Sequence, residues 1–229
     1  MNAKYLKNDP KWDLGVYKST IGHSSASVVS AIDRFEKSVE NIKREISESN
    51  PNGEIISEVE LEDDLGTAFA TLMDDLQNEV FYNSLLVIAI SFFEFSLIEL
   101  CRVSEPYLVA GKERFSDYSG MGIQKSKKFL RGSWGIEIPK IKNWENILKY
   151  AEVRNCIVHN SSNVFEDYSR GIEEQECYKL FGSINTLTIT ETGYIFIKDI
   201  ECIRGVHSMT TNFIAETTSL FKERLLGKA

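Results

Sequence analysis

Between residues 27 and 47 the apolar positions step by four and three in strict alternation: Val28, Ile32, Phe35, Val39, Ile42 and Ile46. That narrow heptad seam predicts one helix packing on another. Residues up to about Gly22 lack a clean period, and Pro10 and Gly15 there predict an irregular arm. Ser49, Asn50, Pro51, Asn52 and Gly53 form a turn cluster after the seam. Ser57-Glu58-Val59-Glu60 then has the form of a capping box, in which serine and glutamate satisfy free backbone N–H groups at a helix start. Leu61, Leu65, Ala68, Phe69, Leu72 and Leu76 continue that helix. The acids Glu62, Asp63, Asp64, Asp74 and Asp75 fall mostly off its stripe and read as a solvated face, because no histidine accompanies them.

The next helix, from Val80 or Asn83 to about Ser104, is apolar on nearly every side and is expected to lie buried in protein. Its most apolar run, 85–93, is too short for a membrane span of about 20 residues. Pro106 ends it, and glycines and prolines between 111 and 142 predict loops around one short helix near 123–130. A second amphipathic helix begins near Asn143 and stops at the turn cluster Asn160-Ser161-Ser162-Asn163. A short helix over 173–181, a β-hairpin with strands near 186–190 and 194–197, and a last helix over 199–225 complete a mainly α chain. The hairpin is too small to stand alone and must pack on helices.

The 229 residues can bury a substantial core, and 42% hydrophobic with 26% charged residues is ordinary for a soluble globular protein. The opening Met1-Asn2-Ala3-Lys4-Tyr5 lacks the apolar core of a signal peptide, and the four cysteines are scattered without a Cys-x-x-Cys pair, so a reducing cytoplasm is expected. The net charge of −8 argues against a general nucleic-acid-coating surface. The charge is unevenly placed, however. Between Gly111 and Lys142, eight basic residues face three acidic ones, so a basic island directly precedes the helix that starts near Asn143. Tyr118, Trp134 and Trp144 lie in or beside the island, either to stack unpaired bases or to pack the loops onto the core.

The chemistry concentrates at the end of that helix, in Arg154-Asn155-Cys156-Ile157-Val158-His159-Asn160. On a helical wheel Ile147, Leu148, Ala151 and Val158 lie within about 60° of one line. Asn155 falls near its middle, and Arg154 and His159 sit on its shoulders, roughly 140° apart. A histidine can move protons at neutral pH, and an arginine offers a planar cation to phosphate oxygens. Together they suit metal-free cleavage of RNA, in which the 2′-hydroxyl attacks its own phosphate. Cys156 and His159 are three apart, but Cys156 lies about 120° from the stripe centre, which favours a packing or neutral role over a thiolate pair. His23 and His207 have no ligand spacing with any cysteine, so zinc is not expected, and no glycine-rich nucleotide motif is present. Glu94, flanked by Phe92, Phe93 and Phe95, has two readings: a carboxylate reaching the surface or a structural arginine, or one placed beside the motif.

Val153 to Asn160 resembles the signature of the HEPN (higher eukaryote and prokaryote nucleotide-binding) superfamily, in which an arginine, a polar residue and a histidine a few positions on end a helix. Phe92-Phe93-Glu94-Phe95-Ser96-Leu97-Ile98-Glu99-Leu100 is similar to the long preceding helix of prokaryotic members, and Trp144, Ile147 and Tyr150 fit the approach to the motif. The resemblance covers roughly residues 83–225. It implies a HEPN-like helical bundle over 81–229, with a basic insertion at 106–142 and a β-hairpin at 186–198. Residues 1–80 would be an added arm and helices packing on that core. It also implies a homodimer with a composite cleft, and a metal-independent endoribonuclease of a toxin–antitoxin or phage-defence system needing no cofactor. Carried over, Arg154 holds the scissile phosphate, His159 acts as acid or base, Asn155 orients one of them or the substrate, and Glu94 and Asn160 support the site. Lys125, Lys127, Lys128 and Arg131 would bind the RNA, and a cognate antitoxin or defence-system protein would be a further partner. The rival expectation is a non-catalytic module in which the same residues bind a nucleotide or RNA or stabilise a dimer interface, and a third is an RNA-binding protein that uses the basic island alone.

Overall fold

The computed structural model of the protein describes residues 10–49 and 81–227. The predicted turn at 49–53 is described only at Ser49, and the capping box and the helix over 61–76 lie outside the described residues, as do the side chains of Val39, Ile42 and Ile46. The described residues form six α-helices and one two-stranded sheet: α1 (Pro10–Ser49), α2 (Asn83–Ser104), α3 (Gly122–Trp134), α4 (Trp144–His159), α5 (Glu176–Phe181), β1 (Leu187–Ile189), β2 (Ile195–Ile197) and α6 (Ile200–Leu226). The protein is therefore mainly α, with a small antiparallel hairpin.

Among the described residues the chain divides into two compact units, one drawing on 10–28, 88–151 and 205–227 and the other on 29–49, 81–87 and 152–204. The boundaries fall inside α1, α2, α4 and α6.

In the first unit, α1 begins at Pro10, so the arm expected up to Gly22 is helical instead. Proline is at home in a first helical turn, where its missing N–H would have had no partner. Leu14, Tyr17, Ile21 and Val28 are buried, a helical spacing that Gly15 and Gly22 interrupt without breaking. Tyr17 donates its hydroxyl to the carbonyl of Ser96 at 3.0 Å. From α2, Phe93, Leu97, Leu100 and Cys101 are fully buried. Phe213 of α6 joins the unit's core through an edge contact with Phe93 (5.5 Å between ring centres) and a stack with Trp144 (5.6 Å). Trp134 meets Phe221 edge-on at 4.6 Å. The buried hydroxyls of Ser96, Thr210, Thr217 and Thr218 return to carbonyls of their own helices, so an apolar interior tolerates them.

The predicted short helix is longer than expected. It runs four residues further, to Trp134, because Ser133 and Trp134 are buried with Phe129 and Leu130, and Gly135 closes it at a φ of 65°. Trp134 and Trp144 are buried, and Tyr118 lies edge-on to Phe129 at 5.7 Å. Of the two readings for the island's aromatics, packing is the one observed.

In the second unit, Ile32 is buried and Phe35 stacks on Phe81 at 4.7 Å. Arg204 pairs with Asp33 at 2.9 Å and Glu36 at 2.7 Å. The hairpin pairs Leu187 with Ile197 and Ile189 with Ile195, and it buries Leu187, Ile195 and Ile197 on one side. Asp199 caps α6 by accepting the Cys202 N–H at 2.9 Å.

By length and composition, one helical stretch among the described residues, Asn83–Tyr107, could cross a membrane, and 56% of its most apolar window is buried inside the protein.

Candidate functional site

α4 starts where Asn143, at a φ of 70°, offers its carbonyl to the Ile147 N–H at 2.9 Å. Trp144, Ile147 and Ala151 are buried, as the apolar stripe predicts. The last turn departs from the wheel. Val158 is 48% exposed and Asn155 only half-buried, whereas Val153 and Cys156 are buried. The reason is local: the chain beyond α4 folds back over the Cys156 side, and the Cys156 thiol donates to the Asn163 carbonyl at 3.1 Å. The packing role expected for Cys156 is the one observed.

The helix stops through two consecutive left-handed residues, Ser161 (φ 51°) and Ser162 (φ 62°), a conformation that side chains other than glycine adopt at a cost. Several bonds hold it. Ser162 accepts Asn83 Nδ2 on its hydroxyl at 3.0 Å and the Ile195 N–H on its carbonyl at 2.9 Å. Asn163 donates Nδ2 to the Thr192 carbonyl at 3.1 Å and accepts the Phe165 N–H at 2.9 Å. The Val164 N–H reaches the Gly193 carbonyl at 2.9 Å. The hairpin tip thus clamps the turn that presents the end of the motif.

Arg154 is half-buried. Its Nη1 donates to Asn155 Oδ1 at 3.2 Å, and its buried Nε has no hydrogen-bond partner among the described residues. Asn155 Nδ2 donates to Glu152 Oε2 at 3.4 Å, a long bond. His159 is exposed in the last turn, where a helix favours a cation, and no hydrogen bond or ion pair among the described residues engages its ring. Asn160 is exposed, and its backbone N–H bonds the Cys156 carbonyl at 2.9 Å. Arg154, Asn155, His159 and Asn160 therefore share the end of α4 in the second unit.

Glu94 lies in the first unit, half-exposed on α2. Its carboxylate stands over Gly122, so close that a Cβ on that glycine would overlap it. The four basic residues expected to bind RNA all lie on α3 and all have intramolecular partners. Lys125 sits 5.0 Å above the Phe115 ring and Lys127 5.7 Å above Trp144, cation–π contacts that hold each ammonium locally. Lys128 donates to the carbonyl and hydroxyl of Ser119, both at 3.1 Å, and Arg131 pairs with Glu137 at 3.1 Å.

Sequence reasoning missed a thiol pair beside the motif. Cys177 donates to Glu166 Oε1 at 2.8 Å, and its thiol lies close enough to Cys156 for each to influence the other's ionisation. Burial, helped by the Glu166 charge, pushes Cys156 up to about 11. Burial and the bond to Glu166 push Cys177 up to about 12, so both are neutral thiols at physiological pH. The two are 21 positions apart, and no spacing rule signals such a pair. Asn163 was also missed as the clamp, although an asparagine closing a turn cluster is a known local hydrogen-bonding device. Among the described residues no group of three or more His, Cys, Asp or Glu side chains is arranged to share a metal ion.

Fold and site together define a mainly α protein with a helix-terminal arginine, amide and histidine, followed by a turn that a β-hairpin clamps. No family model, curated protein or solved structure matches the chain.

Proposed function

We propose that the protein is a metal-independent endoribonuclease of HEPN type, acting as a cytoplasmic homodimer in a prokaryotic toxin–antitoxin or phage-defence system. The observation that carries this reading is that each of the two reactive groups keeps a nitrogen unengaged. Among the described residues the His159 ring, which is exposed, has no partner, and Arg154 keeps a buried Nε–H unpaired. A buried donor left unsatisfied costs about 1–3 kcal/mol, which a phosphate oxygen would recover.

One helix spreads the pair. Five residues separate Arg154 and His159 by about 7.5 Å along the axis and roughly 140° around it. A second copy of the motif would bring a complementary pair to the same phosphate. In the reaction the 2′-oxygen bonds to phosphorus and the P–O5′ bond breaks. His159 takes the proton from the 2′-hydroxyl or delivers one to the departing 5′-oxygen, while Arg154 neutralises the charge building on the phosphoryl oxygens. The products are a 2′,3′-cyclic phosphate and a 5′-hydroxyl. Asn155, bonded to Nη1, orients the guanidinium. A cognate antitoxin or defence-system protein would hold the activity in check.

The test is cleavage of labelled RNA by purified protein with and without EDTA. Wild type is expected to release cyclic-phosphate ends in both conditions, and Arg154→Ala or His159→Ala to lose at least about 100-fold in rate with unchanged circular dichroism and elution volume. Wild-type dimer that cleaves no RNA would overturn the reading. Unfolding or dissociation of His159→Ala would favour the non-catalytic module instead.

A further inference from the structure

α2 ends at Ser104, whose hydroxyl turns back to the Cys101 carbonyl at 2.8 Å, and Pro106 forces the chain into a short 3₁₀ turn, Glu105–Tyr107. The following loop reverses at Gly111, which holds a φ of 87°. Lys112 N–H closes the reversal on the Val109 carbonyl at 3.1 Å. This path leaves a groove of about 550 Å³, open to solvent, within the first unit. Three of its lining side chains are cations, Arg102, Lys112 and Arg114, against one carboxylate, Glu105. In a chain of net charge −8, that is a local reversal of sign.

Two of the groove cations, Arg102 and Lys112, are lightly held. Arg102 pairs with Glu99 one turn earlier on its own helix, with its side chain 61% exposed, and surface pairs of this kind are worth little. Among the described residues the Lys112 ammonium reaches only the Gly132 carbonyl, at a long 3.4 Å. At Arg114 the backbone N–H is fixed, donating to Asp117 Oδ2 at 2.9 Å, which sets where the residue leaves the loop. By contrast, the lysines of α3 are held against rings or a serine of the same unit.

We infer that this groove is a second RNA subsite that takes the phosphate chain of a single strand, resting on the reading of RNA as the substrate. Its volume exceeds a single phosphate, and its open form suits a strand passing through. Phosphates are recognised by lysine and arginine without base identity. The lining residues include no aromatic side chain, so bases gain no stacking platform there and the contact is to backbone. The subsite supplies affinity without sequence preference.

The test is fluorescence anisotropy of the full chain with a fluorescein-labelled 20-nucleotide oligouridylate, the same-length DNA and inorganic polyphosphate as parallel arms. Lys112→Glu/Arg114→Glu is compared with Lys179→Glu, an exposed control on α5, and with the milder Lys112→Gln/Arg114→Gln, folding being checked by circular dichroism. The charge reversal is expected to weaken oligouridylate binding at least about tenfold at low salt. The neutral pair should lower the salt slope by about 1.4 log units, as loss of two phosphate contacts to a single strand predicts. Binding weakened no more than in Lys179→Glu would overturn the inference, as would polyphosphate bound at the groove with oligouridylate unbound. Groove-dependent RNA binding without cleavage would sustain the subsite and remove the ribonuclease reading. Cleavage at wild-type KM by the reversed variant would sustain that reading and remove the subsite.

Discussion

Cys156 and Asn163 are joined across the end of α4 by a thiol-to-carbonyl hydrogen bond of 3.1 Å, and the same asparagine ties the hairpin tip through the Thr192 carbonyl. The motif's last turn is thus fixed by a residue outside the motif. Asn163→Ala removes both side-chain bonds, and leaving the Thr192 carbonyl and Phe165 N–H unpaired is expected to lower stability by about 1–3 kcal/mol. Asn163→Asp keeps the acceptor for Phe165 but sets a carboxylate oxygen against the Thr192 carbonyl at a buried position, so it should lose at least as much. Urea midpoints of the two variants check the order.

The helices were legible where apolar spacing decides them, as in α2, whose span from Asn83 to Ser104 matches the predicted buried helix. The hairpin was legible from alternation around Glu191-Thr192-Gly193. The start of α1 was not, because Pro10 and Gly15 are breakers only when no tertiary contact opposes them, and Leu14 and Tyr17 supply such contacts. The residues at the end of α4 stood out in the sequence as a polar ending on an apolar stripe, but the wheel misplaced their burial. It extrapolated one stripe through 16 residues, whereas Cys156 meets a different neighbour from Ile147. The thiol pair and the groove depend on residues brought together by folding, which periodicity does not encode.

Gly122 combines a left-handed φ of 51° with the Glu94 carboxylate at the position a Cβ would occupy. Gly122→Ala is therefore expected to destabilise by about 2 kcal/mol or more, from backbone strain and steric overlap together. In a Glu94→Ala background the overlap disappears and only the strain remains. A double-mutant cycle by urea denaturation should show a coupling of about 1 kcal/mol or more. Strict additivity would show that the carboxylate moves aside freely.

His207 is 7% exposed, faces the Phe92 ring at 6.0 Å and shares a 3.2 Å hydrogen bond with Ser25. Burial lowers its pKa below the ordinary value near 6.5, so the unfolded chain takes up the proton first. Its contribution to stability is complete above about pH 6.5 and is lost as pH falls from there through the folded-state pKa. Comparing urea midpoints at pH 7.5 and 5.5 should give a larger fall for wild type than for His207→Gln.

Three thiols act at the other end of the pH scale. Burial pushes Cys101 up to about 12, and Cys156 and Cys177 rise to about 11 and about 12, against an ordinary value near 9. The unfolded chain loses these protons first, so stability is intact below about pH 9 and declines as pH rises through 11 to 12. Cys177→Ser removes one such group and should flatten the alkaline fall in melting temperature between pH 8.5 and 10.5. At pH 7.5 native protein should react slowly with iodoacetamide, because the nucleophilic thiolate is scarce.

Arg154 separates function from stability most sharply. Its Nε is buried with no partner among the described residues, and its bond to Asn155 is part-exposed, so the guanidinium contributes little to the fold. Arg154→Met replaces it with an apolar chain that needs no hydrogen bond, and the variant is expected to be as stable as wild type or up to about 1 kcal/mol more stable. On the proposed ribonuclease reading, the same change should lower RNA cleavage at least about 100-fold, because the charge assigned to the phosphoryl oxygens is gone. Arg154→Lys keeps the charge and loses the planar fork, so its rate should fall between the two. Paired urea titrations and single-turnover cleavage read both quantities. A loss of more than about 2 kcal/mol in Arg154→Met would mark the arginine as a structural residue and count against its role at the phosphate.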